Sequence, residues 1–186
     1  MARLDFFFDL GSPYSYLAAH RLGTELAHLP VDWHPFLLGG VFKATGNQMP
    51  AAIPAKGKHM LVDLHRQAAR HAIPFAFPSA FPLNTLLSQR VLAATDPTNL
   101  PTVTLRLYEA FWVHGEDISN PTTLARLLGE EIVARASEPD AKQRLRATTE
   151  AAVSRGAFGA PTFFVGEQMY FGLDHLDEAL EQLASA

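Results

Sequence analysis

Apolar and polar positions change their period several times along this chain. Leu4 to Asp9 is a short apolar and aromatic run that stops at Gly11, which predicts a buried strand rather than a helix. Beyond it the period becomes helical. Tyr16, Leu17, Ala19, Leu22 and Leu26 recur on one face, Ser12 is a good N-cap residue, and Pro13 suits the first helical position. That helix is expected to end near His28 to Pro30, and Val31 to Leu37 to form a second strand. Strand, helix, strand implies a parallel, right-handed unit.

From Gly39 to about Pro82 glycines and prolines predict loop, with an exposed stretch over Val41 to Asn47 and one helical piece, Lys58 to His71. Apolar residues at three and four spacing then mark Asn84 to Thr95, Thr102 to Trp112 and Pro121 to Arg135, separated by Asp96-Pro97 and Asn120-Pro121. Asp140 to Arg155 is a further helix closed by Gly156. Thr162 to Val165 and Gln168 to Phe171 form a hairpin around Gly166-Glu167, and a last helix runs from Asp174 to about Ala184. This is the element order of an α/β, thioredoxin-like fold with an inserted all-helical domain. Residues 1–38 and 139–186 would make the thioredoxin-like domain and 39–138 the insertion.

Composition narrows the chemistry. The 186 residues are 48% hydrophobic, enough for one sizeable core, and the net charge of −4 is spread without blocks of like sign. Neither a nucleic-acid surface nor a basic membrane-binding face is expected. The longest uncharged stretch, Ile73 to Gln89, contains Pro74, Pro78 and Pro82 and does not read as a membrane helix. Arg3, Asp5 and Asp9 interrupt any secretory h-region, so a cytoplasmic protein is expected. There is no cysteine. Ser12-Pro13-Tyr14-Ser15 therefore has the spacing of a Cys-Pro-Tyr-Cys redox loop without its sulfur, and any thiol chemistry must use a visiting one.

Ser12 is an N-cap by type, and no His or Asp of the local sequence is expected to activate it, with a distant partner left open. A hydroxyl at a helix N-terminus can still donate to a bound anion beside the first-turn amides. Ser15 is expected on the buried helix surface or in local capping. The X-Pro default for Ala160-Pro161 is trans. Asp174 can cap the last helix, and Lys43 and Lys56 are solvated charges if taken singly. His59, His65 and His71 are six apart, about 600° on a helix, so they fall on different faces and no metal site is expected. Trp112 is open between core, pocket and interface.

The segments DFFFDLGSPYSYLA, GGVFKATGN, Lys56 followed by Asp63-Leu64-His65-Arg66, GAFGAPTFFVG and FGLDHLDE span the chain. Together they resemble the 2-hydroxychromene-2-carboxylate isomerases and their relatives, the kappa-class glutathione transferases, in the DsbA-like branch of the thioredoxin superfamily. The resemblance implies glutathione as cofactor, with Ser12 holding its thiolate and a cis Ala160-Pro161 bond presenting backbone to it. It further implies glutathione contacts from Asn47, Lys56 and Phe171, Gly172, Leu173 and Asp174, and an aromatic carboxylate substrate against Lys43, Ile53, Pro54 and Phe81. Lys56 is open between the glycyl carboxylate of glutathione and the substrate. His175 stands where the family usually has arginine. The implied activity interconverts 2-hydroxychromene-2-carboxylate and trans-o-hydroxybenzylidenepyruvate in aromatic catabolism, in a homodimer. A kappa-like transferase and a non-catalytic thioredoxin-like binding module are the alternatives.

Overall fold

The computed structural model describes residues 2–186. Four strands form one sheet: β1 (Leu4–Phe8), β2 (Val31–Pro35), β3 (Thr162–Val165) and β4 (Gln168–Phe171), in the order β2, β1, β3, β4. β1 pairs parallel with β2 and antiparallel with β3, which turns back into β4 through Gly166 at φ +59°. The helices are α1 (Pro13–Gly23), α2 (Leu38–Thr45), α3 (Pro54–Arg70), α4 (Leu86–Ala94), α5 (Leu100–Trp112), α6 (Pro121–Leu128), α7 (Glu130–Arg135), α8 (Pro139–Ser154) and α9 (Leu176–Ser185). Among the described residues no helix is long and apolar enough to cross a membrane.

Strand alternation sends side chains to two cores. Leu4, Phe6, Phe8, Phe163 and Val165 pack on one face with α1, α5 and α9. Phe6 stacks on Phe8 and Phe163, with ring centroids 4.9 and 5.3 Å apart. Phe7 and Phe164 point the other way, to Phe36, Val41 of α2 and Ala152 of α8. The first core also contains Leu64, Ala68, Val91, Leu107 and Trp112, so the helical span and the sheet share their hydrophobic burial.

Several boundaries differ from the periodicity. α1 stops at Gly23, where the Thr24 hydroxyl bonds the His20 carbonyl at 2.6 Å, a local bond that competes with helix continuation. β2 ends at Pro35, and α3 begins at Pro54, the helix-starting proline, rather than at Lys58. Pro121 to Arg135 is two helices, because Gly129 at φ +94° breaks the run. The stretch from Val41, expected as exposed loop, belongs to α2, and Val41 is fully buried. Tertiary contacts hold this helix. Leu37 N–H donates to Thr149 Oγ1 at 3.0 Å and Leu38 N–H to Asp9 Oδ2 at 2.8 Å. A Cβ on Gly40 would lie 3.1 Å from the Thr149 methyl, so glycine lets α2 press onto α8.

The helical span grips the segment leaving β1. Gln89 of α4 donates to the Phe8 and Phe36 carbonyls at 3.0 and 2.6 Å, the Tyr108 hydroxyl to the Asp9 carbonyl at 3.0 Å, and the Trp112 indole to the Leu10 carbonyl at 2.9 Å. Carbonyls of three successive residues are thus satisfied by three side chains of α4 and α5. At the opposite end of β1, Asp5 accepts from His34 Nε2 at 2.9 Å and from Arg155 at 2.7 Å. The Arg155 guanidinium also donates to the Gly166 carbonyl and lies 3.8 Å over the Phe164 ring.

Two measurements check these contacts. Trp112→Phe removes the donor to the buried Leu10 carbonyl and part of a packed ring, so the urea midpoint should fall by the equivalent of about 2–4 kcal/mol. The His34 bond first, then Arg155, holds the Asp5 carboxyl below its ordinary value of 3.8. Its stabilisation is full above that value and is lost as pH falls below it through the depressed folded value. Asp5→Asn should therefore cost on the order of 1 kcal/mol at pH 7, and the gap from the parent should close in denaturation curves taken at successively lower pH.

Candidate active site

Ser12 sits at the N-cap of α1, 5% exposed, with φ −96° and ψ 115°. Its Oγ accepts from the Ser15 amide at 3.2 Å and donates to the Ala160 carbonyl at 3.1 Å. Capping and site geometry thus coexist in one hydroxyl. Pro13 has no N–H, the Ser15 amide is engaged by Ser12 Oγ, and the Tyr16 amide bonds the Ser12 carbonyl at 3.1 Å. The first-turn donor left for a ligand is the Tyr14 amide. Ser15 is fully buried, and its hydroxyl lies beside the Tyr108 phenol, which is turned to the Asp9 carbonyl, so Ser15 Oγ has no hydrogen-bond partner.

Ser12 opens onto a cavity of about 420 Å³. Its walls come from the β1–α1 segment, the start of α2, residues 47–50, Met60 of α3, residues 81–86, Gly159-Ala160 and Phe171. They are mostly apolar: Leu37, Leu38, Phe42, Phe81 and Leu83 are typical. Among the described residues, Asp9 is the one charged side chain in the lining. It is 1% exposed, and burial pushes its carboxyl up, against hydrogen bonds from Leu38, Gly11 and Thr85 that pull it down. Burial dominates because the low-dielectric wall penalises the ionised form directly.

The structure brings Ser12, Asn47, Phe81, Ala160 and Phe171 to this cavity. Asn47 is tied by a 2.8 Å bond from its Nδ2 to the Phe158 carbonyl, and the Phe158 ring packs at a tilt against Phe171, centroids 4.3 Å apart. The Ala160-Pro161 peptide is cis, and so is Phe81-Pro82, which the sequence reading did not anticipate. Pro161 is buried behind the wall, with its carbonyl bonded to the Gly172 amide at 3.0 Å. Lys43, Ile53, Pro54, Lys56, Gly172, Leu173 and Asp174 are not among the lining residues. Lys56 is exposed, one turn before Met60 on the same face of α3, which places it toward the mouth. Asp174 lies in a 3₁₀ turn, Leu173–His175, and caps no helix; its carboxylate is 77% exposed and 3.4 Å from His175 Nδ1. Gly172 has φ +96°, and a Cβ there would strike Asp174 Oδ1 at 2.5 Å.

Sequence reasoning missed three participants. Asp9, three residues before Ser12, was not recognised as a group of the site, and its burial depends on contacts 29 and 76 residues away. The Tyr14 hydroxyl donates to Asp63 Oδ2 at 2.8 Å, and burial first, then Asp63 and Asp174, raises its pKa and keeps it protonated. Phe158, outside the lining itself, backs the cavity residues Phe171 and Asn47. The one signal present in sequence was Asp63 itself, on the Lys56, Met60 face of α3.

A sheet with an α1 N-terminus set against a cis-proline loop, and a helical span interrupting the fold, defines the DsbA-like class of thioredoxin folds. The chain belongs to the DSBA-like thioredoxin domain family, whose model matches residues 3–184, and to the branch of 2-hydroxychromene-2-carboxylate isomerases and kappa-class glutathione transferases. It is 32% identical to glutathione S-transferase kappa 2 of Caenorhabditis elegans over 203 residues, covering 96% of this chain and 90% of that one. It is 33% identical to 2-hydroxychromene-2-carboxylate isomerase of Pseudomonas sp. (strain C18), covering 93% and 86%. A solved 2-hydroxychromene-2-carboxylate isomerase superposes with a TM-score of 0.88 at 26% identity, over 98% of this chain and 95% of that one.

The rim can be tested without touching Ser12. A Cβ on Gly159 would meet the Phe171 ring at 2.7 Å, and that ring is 36% exposed. Gly159→Ala should cost less than the roughly 1–3 kcal/mol of buried overpacking and, on the glutathione reading proposed below, should weaken binding of the tripeptide in a calorimetric titration. Unchanged affinity would mean that the Phe158, Phe171 rim is not a ligand contact.

Proposed function

We propose that this protein is a glutathione-dependent isomerase of the 2-hydroxychromene-2-carboxylate type. The observation that carries the reading is the Ser12 hydroxyl, 3.1 Å from the carbonyl that precedes cis-Pro161 and facing the apolar cavity. The similarity to isomerases over more than nine tenths of this chain supports it.

Bound glutathione would supply a reversible sulfur nucleophile, and the residues present fit it. Ser12 Oγ–H rotates from the Ala160 carbonyl to the sulfur while still accepting from Ser15, so the cap is kept. The Ala160 carbonyl is then free to accept the cysteinyl amide of the tripeptide in strand-like pairing. The Tyr14 amide and the positive end of α1 face the same charge. Moving a thiol pKa from about 8.5 to about 6.5 requires roughly 2.7 kcal/mol. The helix end offers about 0.3–2 kcal/mol and a hydrogen bond to an ionised group about 1.5–3 kcal/mol, so the two together suffice. Asp174, in the turn after β4, would meet the γ-glutamyl ammonium, and Lys56 a carboxylate of tripeptide or substrate. Phe81, Phe42 and Leu83 would hold the aromatic rings. When bound, the sulfur would supply reversible addition and elimination at the conjugated substrate, with nothing oxidised.

A second reading, a kappa-class transferase, is favoured by one observation. No lysine, arginine or histidine is among the cavity-lining residues, which suits an electrophile without a carboxylate.

Interconversion of authentic chromene carboxylate, followed in the ultraviolet with and without glutathione, tests the first reading. Conjugation of chlorodinitrobenzene without isomerisation would select the second, and the absence of any heat on glutathione titration would remove both. Ser12→Ala should lower the rate about ten- to a hundredfold through loss of one charge-assisted bond. Ser12→Gly should do the same while costing only a few tenths of a kcal/mol in helix capping, against about 1 for alanine. Equal activity in both variants and the parent would sink the role of this hydroxyl.

A further inference from the structure

We propose that Asp9 accepts the proton released when glutathione ionises, so that the cavity keeps a single negative charge which moves from the Asp9 carboxylate to the sulfur. This rests on the reading of the cavity as a glutathione site.

The geometry around Asp9 leaves room for one proton. Oδ1 accepts from the Gly11 amide and the Thr85 hydroxyl, each at 2.8 Å, and Oδ2 accepts from the Leu38 amide at 2.8 Å. Backbone N–H groups can only donate, so these contacts suit a carboxylate in the unliganded protein. A carboxylate offers about four acceptor sites; three are filled, and the fourth, on Oδ2, can take a proton with every existing bond kept.

The other groups at the cavity cannot serve. The Tyr14 phenol already carries its proton and donates it to Asp63, and the Tyr108 phenol, the titratable group facing Asp9 from α5, donates to the Asp9 carbonyl. Burial raises both phenols. Burial and the hydrogen bonds from Leu38, Gly11 and Thr85 set the state of the carboxyl, and among the described residues no basic side chain lines the wall. A thiolate and an ionised Asp9 in one low-dielectric cavity would repel strongly. Transfer removes that conflict: the S–H bond breaks, an O–H bond forms at Asp9, and one negative charge persists. The raised pKa of the buried carboxyl favours the same direction. The proton is then held within the site for return to the departing sulfur or to the substrate oxygen.

The test uses the wild-type protein and proton counting. Titration with glutathione at pH 7 in buffers of different ionisation enthalpy should show thiolate absorbance with no net proton release. An infrared difference spectrum should show a protonated-carboxyl band, shifted in D₂O, that appears with glutathione and not with S-methylglutathione. Asp9→Asn should instead release about one proton per tripeptide bound. If Asp9→Asn does not fold, the wild-type infrared band decides alone. Thiolate formation with release of about one proton from the wild type, or a carboxyl band already present before ligand, would overturn the role of Asp9 and leave the glutathione site standing. Absence of binding, or binding without thiolate, would overturn both.

Discussion

The chain between β1 and α1 leaves the sheet with its polar groups buried, and every one of them needs a partner. An unpaired buried carbonyl costs about 1–3 kcal/mol, so this segment cannot be held by hydrophobic contact alone. The answer is a polar knot drawn from distant sequence. Gln89, Tyr108 and Trp112 bond the carbonyls of Phe8, Asp9 and Leu10, and Asp9 uses its carboxylate to gather Gly11, Leu38 and Thr85. Ser12 follows directly, with its amide bonded to the Asp9 carbonyl at 2.9 Å.

That knot explains why the helical span is integral to the site. α4 and α5 fix the strand end from one side, and residues 81–86, which lead into α4, form a wall of the same cavity. A shift of α4 against the sheet would disturb Gln89, Thr85 and the cavity together. Precise placement of Ser12 therefore depends on helices that contribute no atom to the hydroxyl's own contacts.

Local patterns were readable where local physics decides them. β3 and β4 fall on Thr162–Val165 and Gln168–Phe171, because a two-residue turn around Gly166 fixes the hairpin. Ser12-Pro13 marked the start of α1 for the same reason. α2 was not readable: its glycine pair suggests loop, and what makes it helical is a cap from Asp9 and packing on Thr149, 29 and 112 residues away. The site shows the same division. Ser12, Ala160 and Phe171 are named by motif, whereas the Tyr14, Asp63 bond and the burial of Asp9 arise only when separate segments meet. Lys43 and Lys56 carried the expected cationic role, yet long solvated side chains are the least determined by sequence position, and neither lines the cavity wall.

The serine tetrad also fixes where charge can reside. A cysteine at the N-cap would direct the helix end and first-turn amide to its own thiolate, while serine leaves those donors free for a guest. Ser15 is withdrawn from chemistry altogether, buried against Tyr108. What remains is a site with donors but no basic side chain in its lining, in which Asp9 already supplies one negative charge when ionised. Two anions sharing an apolar cavity repel, so a guest sulfur would ionise there more readily with that first charge neutralised. Sulfur chemistry at Ser12 and protonation at Asp9 would then be one equilibrium, as proposed above, and a substrate that adds a further anion would need its cation from outside the wall, because no basic side chain is among the lining residues.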